Sequence, residues 1–297
     1  MGIPLSQARL LIRESKRRPF EGSVLQLGKQ LLSFTEKEFR HVAAEEKYRL
    51  TEVPESVQVQ NPLKEWMDDV RFFRMLGFPS VDSLDINDFE GATILHDLNS
   101  PIPSDSILRG KFDLVFDGGT MEHVFHTPNF LANCIDLTKI WGRIVHSVPM
   151  DMVNHGFYNF SPTLFEDFYA VNHFEINSLL VWKKYHYQSD DSRLCTDARG
   201  DSQFIRSLHA GLFNGASHNV TAIVTKTEEI SSVTIPMQGY YQRLFENADL
   251  VNSAGLTGGA SRLKGVYQSL LGVPALGSLA KYMRNMYARS LIHWETI

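Results

Sequence analysis

Cysteine is scarce: Cys134 and Cys195 are the only two in 297 residues. They share no short spacing and have no Cys or His partners nearby. That argues against a disulfide framework or a structural zinc site and makes a reducing compartment the expectation. Long apolar runs are missing as well. No stretch reaches the roughly 20 residues of a membrane-spanning helix, and the first residues hold no apolar signal-peptide core, so a cytoplasmic protein is expected. Glycine is thin where nucleotide-binding loops need it. Val24-Leu-Gln-Leu-Gly-Lys-Gln30 carries a single glycine, which weakens any reading as a nicotinamide oxidoreductase. Internal repeats and low-complexity tracts are absent.

Charge is unevenly spread around a formal net of −5. Residues 1–20 and 256–297 each carry five basic residues against one acid, leaving 19 basic and 32 acidic residues between them, a net of −13. A body this acidic argues against a nucleic-acid partner, because neutralising phosphates needs basic surface around the site.

The pattern along the chain is strand alternating with helix. A basic amphipathic helix is expected over residues 5–18 and a short strand at Ser23 to Gly28. Thr35-Glu-Lys-Glu38 has capping-box spacing and predicts a helix reaching about Leu50. Residues 51–63 read as a loop, and a helix is expected from about Leu63 to Leu76. Strands follow at Val81 to Asp85, Ala92 to Leu95 and Phe112 to Phe116, then a helix from Pro128 to Trp141. Gly142 is expected to turn the chain into a strand at Arg143 to Val148. A helix at Thr163 to Val171 and strands at Glu175 to Trp182 and Val220 to Lys226 complete the set. Such alternation predicts an α/β fold with a parallel sheet covered on both faces.

The richest stretch is Phe112-Asp-Leu-Val-Phe-Asp-Gly-Gly-Thr-Met-Glu-His123. An apolar strand delivers Asp117, two glycines and the pair Glu122-His123 to a strand end, where ligands of open parallel sheets bind. Paired glycines there also let a backbone approach a ligand closely. Together with Gly91-Ala-Thr-Ile-Leu-His-Asp-Leu-Asn99 and Trp141-Gly-Arg-Ile-Val-His-Ser-Val-Pro149, this run resembles class I S-adenosylmethionine-dependent methyltransferases. More narrowly it is similar to bacterial members found among glycan-biosynthesis enzymes, where His155-Gly-Phe-Tyr-Asn-Phe-Ser-Pro162 has a counterpart.

The resemblance spans roughly residues 22–226. It implies a Rossmann-like seven-stranded sheet whose last strand runs antiparallel, and S-adenosyl-L-methionine as cofactor. It also implies methyl transfer to an oxygen of a saccharide or related polar small molecule. Asp85, followed by Ile86, would hold the cofactor ribose, with Asp97 and the backbone of Leu98 at the adenine edge. Asp117, Gly118 and Gly119 would line the methionine end. The first motif departs from the family: Gln26 stands where an acid is usual, Gly28 is alone, and Lys29 would bring positive charge toward a sulfonium. A methyltransferase-like binding protein without turnover is therefore the alternative.

His155 follows a strand end on a loop that should overhang the crevice, and a histidine can take a proton from an attacking hydroxyl. Glu122 and His123 are the other candidates for that work, though such a pair at a helix start often only caps. His146, inside an apolar strand, reads as a core histidine. Asp151, Asn154 and His155 have metal-ligand types without a diagnostic spacing, so no metal is expected.

Three parts are expected: a basic helix at 1–20, the methyltransferase-like domain at 21–228 with insertions at 51–63 and 188–219, and a helical basic extension at 229–297. The insertion at 188–219 reads as a cover on the acceptor side. In the extension Leu263, Val266, Tyr267, Leu270 and Leu271 have helical spacing, with Lys264, Lys281, Arg284 and Arg289 around the stripe. That pattern suits a hairpin packed on the body or on the second subunit of a homodimer, or attachment to an anionic membrane surface.

Overall fold

A computed structural model describes residues 2–54, 66–185, 194–197, 216–239, 241–242 and 295–296. Most of the insertion at 51–63, most of 188–219 and nearly all of the extension after 239 lie outside the described residues, and with them the expected cover and basic helices.

The elements are α1 (Leu5–Arg17), β1 (Ser23–Leu27), α2 (Glu36–Glu45), α3 (Asp69–Met75), β2 (Ser80–Asp85), β3 (Ile94–Leu95) and β4 (Phe112–Asp117). A 3₁₀ turn (Met121–His123) leads to α4 (Thr127–Leu137), β5 (Thr138–Pro149), α5 (Pro162–Val171), β6 (Phe174–Tyr185), β7 (Leu194–Asp197), β8 (Ala216–Lys226) and β9 (Glu295–Thr296). They form one sheet in the order β3-β2-β1-β4-β5-β8-β6-β7-β9. Strands β1 to β5 pair in parallel, and β8 runs antiparallel between β5 and β6. The first seven strands of that order have the expected arrangement. The sheet does not stop there, because β7 adds antiparallel to β6 and β9 to β7.

Central strands buried on both faces explain the near-continuous apolar runs of β1 and β4. From Leu114 on the side chains of β4 alternate between the two faces, and the register shift before Leu114 puts Phe112 on the same face as Val115. Phe112 and Val115 join Leu25, Leu27 and Ile144 under α4 and α5, whose Phe130, Ile135, Phe165 and Tyr169 complete that layer. Leu114 and Phe116 join Val24 and Val145 on the opposite face, against Leu11 and Ile12 of α1, Phe39 of α2 and Phe72 and Phe73 of α3. Arg143 fixes α1 to this layer. Its guanidinium donates to Glu14 Oε1 at 3.2 Å and to the carbonyls of Arg18 and Pro19, and lies 4.1 Å from the Phe20 ring.

Three helix boundaries differ from the sequence expectation by more than one residue. The capping box forms, with Thr35 N donating to Glu38 Oε2 at 2.7 Å, but α2 ends at Glu45 because Lys47 turns to a φ of 52°. α3 begins at Asp69 rather than near Leu63, since the Asp68 carboxylate accepts the Arg71 N–H at 3.0 Å and sets the cap there. α4 stops at Leu137, not Trp141, and the chain enters β5 directly. Gly142 lies inside that strand rather than in a turn: Trp141 has a φ of 65°, and the pairing with β4 shifts between Phe112 and Leu114, which marks a bulge.

Candidate active site

The strand order reverses between β1 and β4, so the crevice beyond their carboxyl ends is where the fold places a ligand. Leu27 pairs with Leu84 on one side and Asp117 on the other, which brings the ends of β2, β1 and β4 side by side. Two surface hollows of about 550 and 520 Å³ lie elsewhere, one beside α2 around Tyr48 and the other around Trp141 and Arg17, and hold none of these residues.

Asp85 ends β2 at the surface, its Oδ1 accepting the Ile86 N–H at 2.6 Å. Ile86 and Phe89 beside it are large apolar side chains left exposed, 64% and 91%. Asp97 uses only Oδ1 locally, accepting from Asn99 N and Nδ2 at 2.9 and 2.8 Å, bonds that hold its carboxyl below the usual range. Leu98 is buried, with its carbonyl accepting from Asn133.

Around the first motif the geometry corrects two expectations. Lys29 does not offer a free positive charge, because its Nζ lies 3.3 Å from Asp69 Oδ1. Gly118 does not leave open backbone: a Cβ there would lie 2.1 Å from Gln30 Oε1, so the chain's own amide fills that space. Gln26 is buried and donates to Asp69 Oδ2 at 2.8 Å. An acid thus reaches the end of β1 from α3, a contact the sequence could not show across 43 residues. Gln30 Nε2 donates to the carbonyls of Leu27 and Gly28, while its Oε1 is buried and unpaired. Gly28, at a φ of 68°, packs against Thr120.

Asp117 is likewise turned inward. Its Oδ1 accepts the N–H groups of Gly119, Thr120 and Met121, and its Oδ2 lies 2.8 Å from Nδ1 of His146, whose Nε2 is 2.6 Å from the Tyr169 hydroxyl. All three side chains are fully buried, so Asp117 shapes the turn rather than meeting a ligand, and His146 is the core histidine expected.

The turn it shapes presents Glu122 and His123. They occupy a 3₁₀ turn ahead of α4, not the start of a helix. Glu122 is fully buried with neither carboxylate oxygen hydrogen-bonded, and burial, followed by the Asp117 charge, pushes it up to about 7. Its carbonyl accepts the Phe157 N–H at 2.8 Å, which draws in the 150s loop. On that loop His155 Nε2 comes to 3.4 Å from Glu122 Oε1, and His123 Nε2 to 3.9 Å, with the rings 5.1 Å apart. Burial lowers both histidines below their usual value, His123 further through His155. The three sequence candidates therefore form one cluster, and Phe125 and Phe157 on the same two segments are exposed, with centroids 5.6 Å apart.

Asp151 stays out of it. The Asp151 carboxylate accepts the His218 N–H at 2.7 Å and pairs with His218 Nδ1, leaving the Nε2 of this buried ring without a partner. Sequence reading missed His218, which sits 67 residues away inside an apolar strand.

No family model matches the chain, and no curated protein does. Among solved structures, it is similar to a Burkholderia thailandensis 1,6-didemethyltoxoflavin N1-methyltransferase with S-adenosylhomocysteine bound, at 13% identity and a TM-score of 0.34 over 75% of this chain and 78% of that one. TehB from Haemophilus influenzae matches at 13% and 0.35 over 73% and 61%, and a putative methyltransferase from Bacillus halodurans at 10% and 0.36 over 75% and 100%.

Proposed function

We propose that the protein transfers a methyl group from S-adenosylmethionine to an oxygen of a saccharide or related polar small molecule. The observation that carries this reading is the row of groups at the strand ends. A surface carboxylate ends β2, an unpaired amide oxygen lies beside β1, and a cluster of two imidazoles and a carboxyl follows β4.

The residues present fit the cofactor. Asp85 can accept both ribose hydroxyls at once, while Ile86 and Phe89 supply apolar surface for a purine face. Asp97 keeps its Oδ2 for the adenine edge, and the orphaned Gln30 Oε1 is an acceptor suited to an ammonium group. Because Lys29 is paired to Asp69, its charge is compensated rather than left to oppose a sulfonium. When bound, S-adenosylmethionine supplies an electrophilic methyl carbon.

The remaining work belongs to the chain. His155 Nε2, unpaired and held below its usual pKa by burial, is neutral near pH 7 and can take the proton of a hydroxyl. Glu122 beside it favours the protonated ring that results. Phe125 and Phe157 offer faces on which the C–H side of a sugar ring can stack, and holding the hydroxyl in line supplies much of the rate.

His155→Ala is expected to lower turnover by about 10²-fold or more, the usual size of general-base catalysis, while S-adenosylhomocysteine affinity stays near wild type. Unchanged turnover would remove His155 from the reaction. One observation favours a second reading, a binding protein without turnover: Gln30 occupies the space at Gly118. Wild-type protein that binds S-adenosylhomocysteine but methylates no hydroxylated acceptor would support it.

A further inference from the structure

Base catalysis at His155 does not account for the burial of Glu122 without a hydrogen bond. A carboxyl buried without a hydrogen-bond donor is costly and calls for a compensating charge. Glu122 is fully buried, neither of its oxygens has a hydrogen-bond partner, and the nearby His155 Nε2 is also unpaired. The backbone holds this arrangement in place. Glu122 O receives the Phe157 N–H, and Gly156 packs so tightly that a Cβ would sit 2.7 Å from that same carbonyl oxygen.

One ligand atom each from Glu122, His123 and His155 lies within 4.8 Å of the others. In a tetrahedral site with bonds of about 2.0–2.1 Å, neighbouring ligand atoms stand roughly 3.3–3.4 Å apart. Glu122 Oε1 to His155 Nε2 is already 3.4 Å and Glu122 Oε1 to His123 Nε2 is 3.9 Å, so a small rotation of the more exposed His123 ring would complete the triangle.

We propose that Glu122, His123 and His155 form a divalent transition-metal site, with Glu122 as the inner ligand and the fourth position open toward the crevice. Two imidazoles and one carboxylate favour a borderline ion such as Zn²⁺ or Co²⁺ over Mg²⁺ or Ca²⁺, which prefer oxygen donors. Both histidine rings are part-exposed, giving the ion an entry path. Where it bears on the reaction, it rests on the proposed methyl transfer but replaces one role in it: the acceptor hydroxyl would meet the ion, and His155 would be a ligand in place of the free base described above. The site itself needs neither cofactor nor acceptor.

The test is metal binding by the full chain after chelator treatment and dialysis. Zn²⁺ would be titrated against a chromophoric chelator, Co²⁺ followed by visible absorption, and Mg²⁺ used as competitor. One equivalent of Zn²⁺ is expected, with a low-coordinate Co²⁺ spectrum and no displacement by millimolar Mg²⁺. Glu122→Gln and His155→Ala should each weaken Zn²⁺ by about tenfold or more, while His41→Ala, an exposed ring elsewhere on α2, leaves it unchanged. If the Glu122 variant fails to fold, His123→Ala decides, since its ring is part-exposed. Failure of wild type to bind an equivalent, or unchanged binding in the cluster variants, overturns the site. Because no methyl donor is present, that result leaves the methyl-transfer reading standing. Lost S-adenosylhomocysteine binding would equally leave the metal result intact.

Discussion

Asp117 shows how a residue's position and its role can separate. At the end of β4, ahead of two glycines, it has the sequence of a ligand-facing acid, yet both oxygens are spent inside the protein. The carboxylate needs a donor, so His146 Nδ1 carries the proton and Nε2 accepts from Tyr169. Tyr169→Phe would strand that buried nitrogen and is expected to cost about 1–3 kcal/mol of stability, read from the urea midpoint at constant m. An unchanged midpoint would show that the hydroxyl contributes nothing. His146 was legible as a core residue because it interrupts an apolar strand. Its partners were not, because they lie 29 and 23 residues away on other elements. Glu122, His123 and His155 were legible singly, since strand ends and the loops after them carry chemistry. Their convergence depends on Gly156. Gly156→Ala pushes a methyl into the Glu122 carbonyl and should lower both turnover and Zn²⁺ affinity while α4 and β4 remain folded by circular dichroism. Full activity in that variant would mean the loop can shift without harm.

Among the elements, α3 departs furthest from its expected form. Apolar spacing suggested a longer helix from Leu63, because periodicity marks the buried face but not the cap. Asp68 starts the helix and Asp69 turns in to meet Gln26 and Lys29. Burial pushes Asp68 up to about 6 against the Arg71 N–H, and the Asp69 charge adds to the rise. The folded state therefore holds this proton more tightly than the unfolded chain. Stability is lost as pH rises from about 4 through about 6, and the cost is full above that. Asp68→Asn keeps a capping oxygen and removes the charge. It should be more stable than wild type by about 1–3 kcal/mol at pH 7.5, with the gap closing by pH 4, in paired urea melts. A gap independent of pH would show that Asp68 titrates normally. By contrast, the capping box of α2 could be read from four residues because both of its bonds are local.

Across the whole molecule, the alternation of strands and helices and the apolar β1 and β4 were enough to expect a parallel sheet covered on both faces. The resemblance added that β8 runs antiparallel to its neighbours, which are β5 and β6. The added strands β7 and β9 could not be foreseen. Four polar-flanked residues and a terminal pair carry too little pattern to separate an edge strand from loop. The weak first motif was also legible, but not the acid that reaches it, since Asp69 arrives from another element. The central claim is that the crevice between β1 and β4 still binds S-adenosylmethionine despite that motif. Calorimetric titration of wild type and Asp85→Ala with S-adenosylhomocysteine tests it most directly. The account predicts one-to-one binding by wild type, weakened by about 1–3 kcal/mol in the variant whose ribose hydroxyls lose their acceptor. No heat with wild type at millimolar ligand, or equal affinity in both proteins, would contradict it.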